Sequence, residues 1–141
     1  MPPVLVYYAT EAEYRAHYER CYCRAEIHTF DGLRVYFPKQ QFDDAFFESA
    51  DRTARDKSVF SKARAERIDW IRAALEEPKA ELYRGWDRDK KVFAKDRRVI
   101  LIFGNYVVVL QIRGKRSSAT FITAYVADPK TIQKIRSNPR W

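Results

Sequence analysis

Two arginines in the middle of the chain have the most informative positions. Apolar side chains recur with helical spacing from about residue 58 to about residue 77, and Pro78 ends the pattern. At about 100° per residue, Arg64 and Arg67 fall on the apolar side of this predicted helix. A buried guanidinium needs either a carboxylate partner or a bound anion, so both an ion pair and a phosphate site remain open for these two residues.

A second group of polar side chains follows one predicted turn and the strand after it. Its members are Arg113, Lys115, Arg116, Ser117, Ser118, Thr120, Thr123 and Tyr125. Basic and hydroxyl side chains can hold a scissile phosphate, stabilise a phosphorane and exchange protons with a ribose hydroxyl. The same residue types are also ordinary in turns and strands, so the group has a purely structural alternative.

A third basic cluster includes aromatic residues. Its members are Trp86, Lys90, Lys91, Phe93, Lys95, Arg97 and Arg98. Aromatic side chains among cations can stack on unpaired bases, and they can equally cap an apolar core. The cluster is therefore compatible with nucleic-acid contacts without requiring them.

The strong short signatures of nucleotide and hydrolase chemistry are absent from the sequence. It contains no GxxxxGK[ST] phosphate loop, no GxSxG elbow, no HExxH and no GxGxxG. With 4 glycines in total, a loop that cradles phosphates through glycine flexibility is not expected. Mononucleotide hydrolysis and dinucleotide redox chemistry are excluded on this ground, and no cofactor is predicted.

Four residues near the start of the chain could in principle hold zinc. They are His17, Cys21, Cys23 and His28. On a helix, however, His17 and Cys21 share a face while Cys23 points about 200° away from Cys21, so no metal site is predicted. A zinc-stabilised interaction domain remains the rival hypothesis. The spacing of the two cysteines suits neither a redox motif nor a disulfide framework, and a reducing compartment fits it.

Length and charge indicate one domain with an asymmetric charge distribution. The chain has 141 residues and a formal net charge of +8. Residues 1–50 carry 5 basic and 8 acidic side chains, whereas residues 51–141 carry 22 and 11. Such a basic part is the expected electrostatic signature of a phosphate-bearing partner, although solubility alone could also explain it.

No apolar run is long enough to span a membrane, and the first residues do not form a signal peptide. We therefore expect a soluble, cytoplasmic protein that has no membrane partner.

The acidic part is predicted to contain a helix, a hairpin and a second helical stretch. A capping box at Thr10 begins a helix over about 11–25. Alternation around Asp31 and Gly32 predicts short strands at 27–30 and 33–37. Helical spacing resumes after Pro38, and the polar segment 48–58 is predicted to be a linker or a mobile loop.

The basic part is predicted to be dominated by strands. Apolar runs predict strands at 80–83, 91–94, 99–103, 106–112 and 119–126. Asp128 and Pro129 then begin a last helix over 130–136. The predicted fold class is α+β, with a helical N-terminal part packed on an antiparallel meander of about four strands, and with a short C-terminal helix. The central strands are apolar on both faces, so both faces of the sheet are expected to be covered.

Four segments resemble phage- and mobile-element-associated nuclease-like domains of the barnase/EndoU/colicin/RelE-like class. They are FDDAFF at 42–47, FSKARAERIDWI at 60–71, YVVVL at 106–110 and FITAY at 121–125. The resemblance covers about 42–136. It implies helices packed on a four-stranded antiparallel sheet and metal-independent cleavage of RNA. The positions that match the cleft of this class are Arg64, Arg67, Thr123 and Tyr125.

The resulting hypothesis is an RNA-binding domain that cleaves by attack of the ribose 2′-hydroxyl on the adjacent phosphate. Arg64 and Arg67 would clamp the phosphate, Thr123 would orient it, and Tyr125 would transfer a proton. The predicted substrate-binding residues are Lys62, Lys91, Arg98, Arg113, Lys115 and Arg116.

Two points leave the chemistry open. Members of the class often carry a histidine near the start of the long helix, whereas residues 58–62 contain none. Proton transfer would then fall to Tyr125, Lys62 or the distant His28. The alternative is a non-catalytic module that binds nucleic acid or protein. If the domain is a toxin, we expect an acidic inhibitor or antitoxin protein as a second partner besides RNA.

Overall fold

Helices and one large, mostly antiparallel sheet share the chain, which confirms the predicted α+β class. A computed structural model describes residues 2–49, 57–87, 89–114 and 117–141. The helices are α1 Glu11–Tyr18, α2 Phe42–Ala45, α3 Lys62–Glu66, α4 Ile68–Glu76 and α5 Pro129–Arg136. Within the described ranges, no helix is both long enough and apolar enough to cross a membrane.

The sheet contains six strands rather than the four or so that were predicted. The strands of the whole fold are β1 Ile27–His28, β2 Arg34–Tyr36, β3 Phe47–Glu48, β4 Val59–Phe60, β5 Glu81–Asp87, β6 Val92–Ile102, β7 Tyr106–Arg113 and β8 Ser118–Val126. Their order in the large sheet is β1-β2-β8-β7-β6-β5. The predicted meander corresponds to β5–β8, with the segments 91–94 and 99–103 merged into the single strand β6. The two additional strands come from the predicted hairpin, because β2 pairs parallel with β8.

The predicted long helix over 58–77 is replaced by a short strand, β4, and two helices, α3 and α4. Its first residues form β4, which pairs with β3 in a separate two-stranded sheet. The Ser61 side chain then caps α3 by accepting a hydrogen bond from the backbone N–H of Arg64 at 3.3 Å. Arg67 leaves helical geometry, with φ −97° and ψ 19°, before α4 begins. The hydroxyl of Tyr106 donates to the Arg67 carbonyl at 3.4 Å, so a tertiary contact satisfies a carbonyl at the break.

The first predicted helix changes geometry after two turns. The Thr10 hydroxyl accepts a hydrogen bond from the N–H of Glu13 at 3.3 Å, so α1 begins at the predicted cap. Residues 19–23 continue it as a π-helical turn. The β3–β4 pair brackets the segment 48–58 that was predicted to be a linker or loop, and residues 50–56 of that segment lie outside the described residues.

The two faces of the large sheet are covered to very different extents. Helices α1–α4 pack their apolar sides on one face, against strand residues that include Ile100, Val108, Leu110 and Phe121. On the other face, α5 contributes Ile132 and Ile135 to a smaller cluster over β5–β7. The 8 residues of α5 span about 12 Å, whereas six strands span about 24 Å. The expectation that both faces are covered is therefore met on one face only.

Arg98, which was predicted to bind substrate, belongs to the structure of the fold. Its side chain is 3% exposed and donates two hydrogen bonds to the carboxylate of Asp31, at 3.0 and 2.8 Å. Its guanidinium also lies 4.8 Å from the ring centroid of Trp141. Arg98 thus ties the β1–β2 turn and the C-terminal residue to β6, because a buried guanidinium requires a paired carboxylate.

We expect Asp31→Asn to destabilise the protein most strongly near neutral pH. Burial raises the pKa of Asp31, but hydrogen bonds from Arg98 and Thr29 outweigh burial and lower this pKa below its ordinary value. The lost ion pair should cost about 1–3 kcal/mol at about pH 7, towards the low end because Asp31 is partly exposed. Because the pKa is lower in the folded state, this stabilisation is present above the unfolded value of about 3.9 and disappears as the pH falls through the folded value.

Urea denaturation of both proteins between about pH 7 and about pH 2 measures this difference. Asp43→Asn is the matched control, because Asp43 also pairs with an arginine, Arg15 at 2.6 Å, but is well exposed. This control should lose less than about 1 kcal/mol. A difference between wild type and Asp31→Asn that stays constant over the whole pH range would contradict the ion-pair explanation.

Candidate nucleic-acid interface

The outer edge of β8 determines which elements meet at the candidate site. Strand β2 pairs with β8 only from Arg34 opposite Ser118 to Tyr36 opposite Thr120. Helices α2 and α3 also contact β8. The side-chain amide of Gln41 donates to the carbonyl of Ile122 at 2.6 Å, so this part of the edge receives a side-chain partner in place of a strand.

This arrangement brings Arg64 of α3 onto Tyr125 of β8. The Arg64 guanidinium carbon lies 5.5 Å from the centroid of the Tyr125 ring. The same guanidinium donates to the carbonyl of Ala45 at 3.3 Å, and its Nε lies 3.6 Å from Oε1 of Glu48. Two of the four predicted catalytic residues are therefore in contact, beside a carboxylate that the sequence analysis did not identify.

A second cation lies near this contact. Burial and repulsion by Arg64 lower the pKa of Lys57 below its ordinary value, while Asp44 and Glu48 oppose the shift. We call Glu48, Lys57, Arg64 and Tyr125 the Arg64 corner. Lys57 and Arg64 carry two positive charges against the one negative charge of Glu48, and an additional anion would have to compete with Glu48 for the Arg64 guanidinium.

The Tyr125 hydroxyl keeps its proton at neutral pH. Burial raises the pKa of Tyr125 above its ordinary value, the charge of Arg64 partly opposes the shift, and Asp128 adds to it. A phenol in this state can donate a proton to a developing alkoxide but is a poor base.

The other two predicted catalytic residues, Thr123 and Arg67, do not take part in the contact between Arg64 and Tyr125. Thr123 lies two residues before Tyr125 on the same face of β8, opposite Val109. Its hydroxyl is buried, and none of the described residues forms a hydrogen bond with it. Arg67 donates to the carbonyl of Ala63 at 2.7 Å, and its guanidinium lies 5.1 Å from the Trp70 ring. The structure thus puts Thr123 beside Tyr125 in the strand and holds Arg67 over a tryptophan of α4.

A row of polar side chains continues from Thr123 across the uncovered part of the sheet. We call this surface the open face. Its members are Arg34, Tyr36, Arg97, Gln111, Arg113, Ser118, Thr120 and Thr123, which the strand registers place on the face opposite the large core. The Arg34 guanidinium lies 4.8 Å from the Tyr36 ring, and Arg97 donates to Gln111 at 3.5 Å.

The open face is accessible and carries cationic, aromatic, hydroxyl and amide groups together. Tyr36 is 52% exposed, and Arg113 is also exposed. One acidic residue, Glu26, lies 3.4 Å from Arg34 and is itself well exposed. Such a surface can contact phosphates through guanidinium groups, stack a base on Tyr36 and hydrogen-bond to sugar hydroxyls.

The other predicted substrate-binding residues are dispersed. Arg113 lies on the open face, Lys62 is exposed on the first turn of α3, and Lys91 lies in the β5–β6 turn with φ 53°. Lys115 and Arg116 lie outside the described residues.

Sequence reasoning missed Arg34, Tyr36 and Glu48. Alternation around the buried Val35 could have put Arg34 and Tyr36 on one strand face, but the parallel pairing with β8 leaves no local signal. Glu48 reaches Arg64 only because β3 pairs with β4, and a two-residue strand has no periodicity to detect.

The four residues considered as zinc ligands have other partners or surroundings. His17 is hydrogen-bonded to the Tyr8 hydroxyl and to Asp69, each at 2.9 Å. His28 lies 3.7 Å from Glu26, and Cys21 and Cys23 are reduced thiols. In the part of the chain that the structure describes, no three His, Cys, Asp or Glu side chains are grouped so that they could hold a metal ion.

No family model matches the chain, and no curated protein and no solved structure matches it significantly.

We expect the pKa of the Tyr125 phenol to rise further in Arg64→Met. The guanidinium favours the phenolate, so its removal leaves burial and Asp128 unopposed. The measurement is an NMR titration with tyrosine labelled at Cζ, in which Tyr125→Phe identifies the signal. Arg72→Met, which removes a charge from α4, should leave the Tyr125 titration unchanged. An unchanged Tyr125 pKa in Arg64→Met would show that the two side chains do not interact in solution.

Proposed function

We propose that this protein binds single-stranded RNA on the open face and cleaves it at the Arg64 corner. The observation that carries the proposal is the contact between Arg64 and Tyr125 at one end of the sheet face that also presents Arg34, Arg113 and Tyr36. Groups that can stabilise a phosphorane and protonate a leaving oxygen are thus adjacent to a surface suited to a polynucleotide.

The open face suits a flexible strand better than a duplex. Three arginines can neutralise successive phosphates, and the exposed ring of Tyr36 offers a stacking surface for a base whose edge is unpaired. The hydroxyl of Thr120 and the amide of Gln111 lie opposite each other and can recognise the 2′-hydroxyl that distinguishes RNA from DNA. The charge of +11 on residues 51–141 adds long-range attraction for the same partner.

The proposed reaction transfers the phosphate within the RNA. The 2′-hydroxyl loses its proton to the Glu48 carboxylate while its oxygen attacks the adjacent phosphorus. Arg64 stabilises the charge of the phosphorane. The Thr123 hydroxyl is buried, so it is not assigned a contact with the phosphorane. The bond from phosphorus to the 5′-oxygen then breaks, and Tyr125 protonates that oxygen. The products are a 2′,3′-cyclic phosphate and a 5′-hydroxyl.

Arg67 would act in this scheme as a second positive charge rather than as a direct clamp. Its guanidinium is held over Trp70, but the charges of both Arg67 and Arg64 lower the pKa of the buried Tyr106 hydroxyl, which burial raises overall. We therefore assign the direct phosphate contact to Arg64.

The resemblance to the barnase/EndoU/colicin/RelE-like class supports the proposal through architecture as well as through motifs. This class implies a helical N-terminal part on a four-stranded antiparallel sheet. Strands β5–β8 form a meander of that kind, and α1–α4 pack on one of its faces. The β1–β2 hairpin at the edge of β8 is an addition to that plan. Within this proposal, an acidic inhibitor protein would act by covering the open face.

A second candidate is an RNA-binding module without catalytic activity. The observation that favours it is the pairing of Arg64 with the carbonyl of Ala45 and with Glu48, because a guanidinium held by two protein groups can be purely structural. The two candidates share the open face and differ only in whether product forms.

Substitution of arginines on the open face should weaken RNA binding in a salt-dependent way. We expect Arg34→Ala and Arg113→Ala each to reduce the slope of log K against log salt by about 0.7, the value for one lost phosphate contact with a single strand. Fluorescence anisotropy with a labelled, unstructured RNA oligonucleotide at several salt concentrations measures this slope.

Arg72→Ala is the matched control for charge, because Arg72 is exposed on α4 and pairs with Glu76. It should leave the slope unchanged. Equal slopes in wild type, Arg34→Ala and Arg113→Ala would remove the open face from the binding site.

We expect Tyr125→Phe and Arg64→Ala to lower the rate of RNA cleavage while the protein still binds. Loss of the proton donor should slow the reaction about 10²–10⁴-fold, and loss of Arg64 should slow it about 10²–10³-fold. The assay follows a labelled RNA in the presence of a chelator and identifies the cyclic phosphate terminus. Tyr7→Phe, at an exposed tyrosine outside the site, should cut like wild type.

An RNA with a 2′-deoxy nucleotide at each cleaved position should resist cleavage, because it lacks the attacking oxygen. Binding by wild type with no product from any RNA would identify the non-catalytic module instead.

A further inference from the structure

One end of the β5–β6 hairpin projects beyond the rest of the sheet. Strand β7 pairs with β6 only from Arg97 to Ile102, whereas β6 begins at Val92. The first five residues of β6 therefore extend about 16 Å past the last pair with β7. We call residues 85–87 of β5 and 92–96 of β6 the hairpin arm.

The hairpin arm exposes two aromatic rings that contact each other. Trp86 is 46% exposed and Phe93 is 38% exposed, and the two residues are paired across the strands. Their ring centroids lie 5.0 Å apart in an edge-to-face arrangement. A tryptophan on a protruding two-stranded ribbon contributes little to a core, so a paired, exposed ring suggests a contact with another molecule.

Two lysines lie close to these rings in the chain. The carboxylate of Asp87 accepts hydrogen bonds from the backbone N–H groups of Asp89 and Lys90, at 3.0 and 3.1 Å. Lys90 and Lys91 are both exposed. Two exposed lysines therefore lie between β5 and β6, immediately beyond the Trp86–Phe93 pair.

The hairpin arm is in close contact with the open face where the Arg97 side chain packs against Gly85. A Cβ atom at Gly85 would lie 2.5 Å from Cγ and 2.6 Å from Cδ of Arg97, so only glycine lets the Arg97 stem cross β5 at this position. Arg97 thus lies beside the residue that precedes Trp86, and its guanidinium reaches Gln111 on the open face. Arg97 therefore marks the place where the open face meets the hairpin arm.

We propose that the hairpin arm is a second RNA subsite, where an unpaired base stacks on Trp86 and Phe93 while Lys90 and Lys91 contact the flanking phosphates. This inference rests on the proposed function and extends it. It specifies the substrate class as RNA whose unpaired nucleotides continue beyond the segment held by the open face. The ammonium groups next to the rings favour a nucleic-acid strand over a second copy of this basic chain, whose own charge would repel it.

The test compares binding of a labelled, unstructured RNA of about 20 nucleotides with binding of the same strand annealed to its complement. Trp86→Ala should weaken binding of the single strand about 5- to 100-fold, and Trp86→Phe should retain most of the affinity. Phe93→Leu should also weaken binding. Val92→Ala is the matched control, because Val92 is 49% exposed on the same arm but has no ring, and it should change affinity by less than about twofold.

The outcomes separate this inference from the proposed function. If wild type does not bind the single strand, the proposed function fails. If wild type binds the single strand and Arg34→Ala weakens that binding, but Trp86→Ala and Phe93→Leu do not, only the hairpin-arm subsite fails. Self-association of wild type that is lost in Trp86→Ala would assign the rings to a second copy and overturn the inference. Circular dichroism of each variant verifies that it is folded.

Discussion

The short parallel pairing between β2 and β8 is the constraint on which the candidate site depends. Three residues of β2 cover the start of β8, and the remaining edge still presents backbone groups that need partners. Gln41 satisfies one of them, and α2 and α3 also contact β8. Because α3 contacts β8, the Arg64 guanidinium lies against the Tyr125 ring. A longer β2 would have occupied the same edge and displaced α3.

Arg97 and Arg98 are neighbours in β6, but their side chains lie on opposite faces of the sheet and have different partners. These neighbours in β6 point to opposite faces, because side chains alternate along a strand. Arg98 enters the helix-covered face, where the fold supplies Asp31 and the Trp141 ring. Arg97 points to the face that α5 only partly covers, where Gln111 and solvent are its surroundings. The open face exists because an eight-residue helix is too short to cover six strands.

The Arg64 corner combines structural and chemical roles in the same contacts. Glu48 and the carbonyl of Ala45 hold the guanidinium over Tyr125, so the group is already oriented before any phosphate arrives. An anion that enters the site must compete with Glu48 for the Arg64 guanidinium, so the ion pair between Glu48 and Arg64 is weakened when the anion binds. In the proposed reaction, uptake of a proton by Glu48 removes that competing charge at the moment when the phosphorane forms.

The amino-acid sequence by itself determined the α+β class, the meander of β5–β8, the caps at Thr10 and Asp128, and the asymmetric charge. Periodicity also put Arg64 on the inner side of its predicted helix. Only the tertiary structure decided that β2 joins β8, that β3 brings Glu48 to Arg64, that Arg67 interrupts the long helix and that Arg98 is buried. The physical reason is that periodicity reports which side of an element is apolar, whereas its partner depends on contacts between residues far apart in the chain.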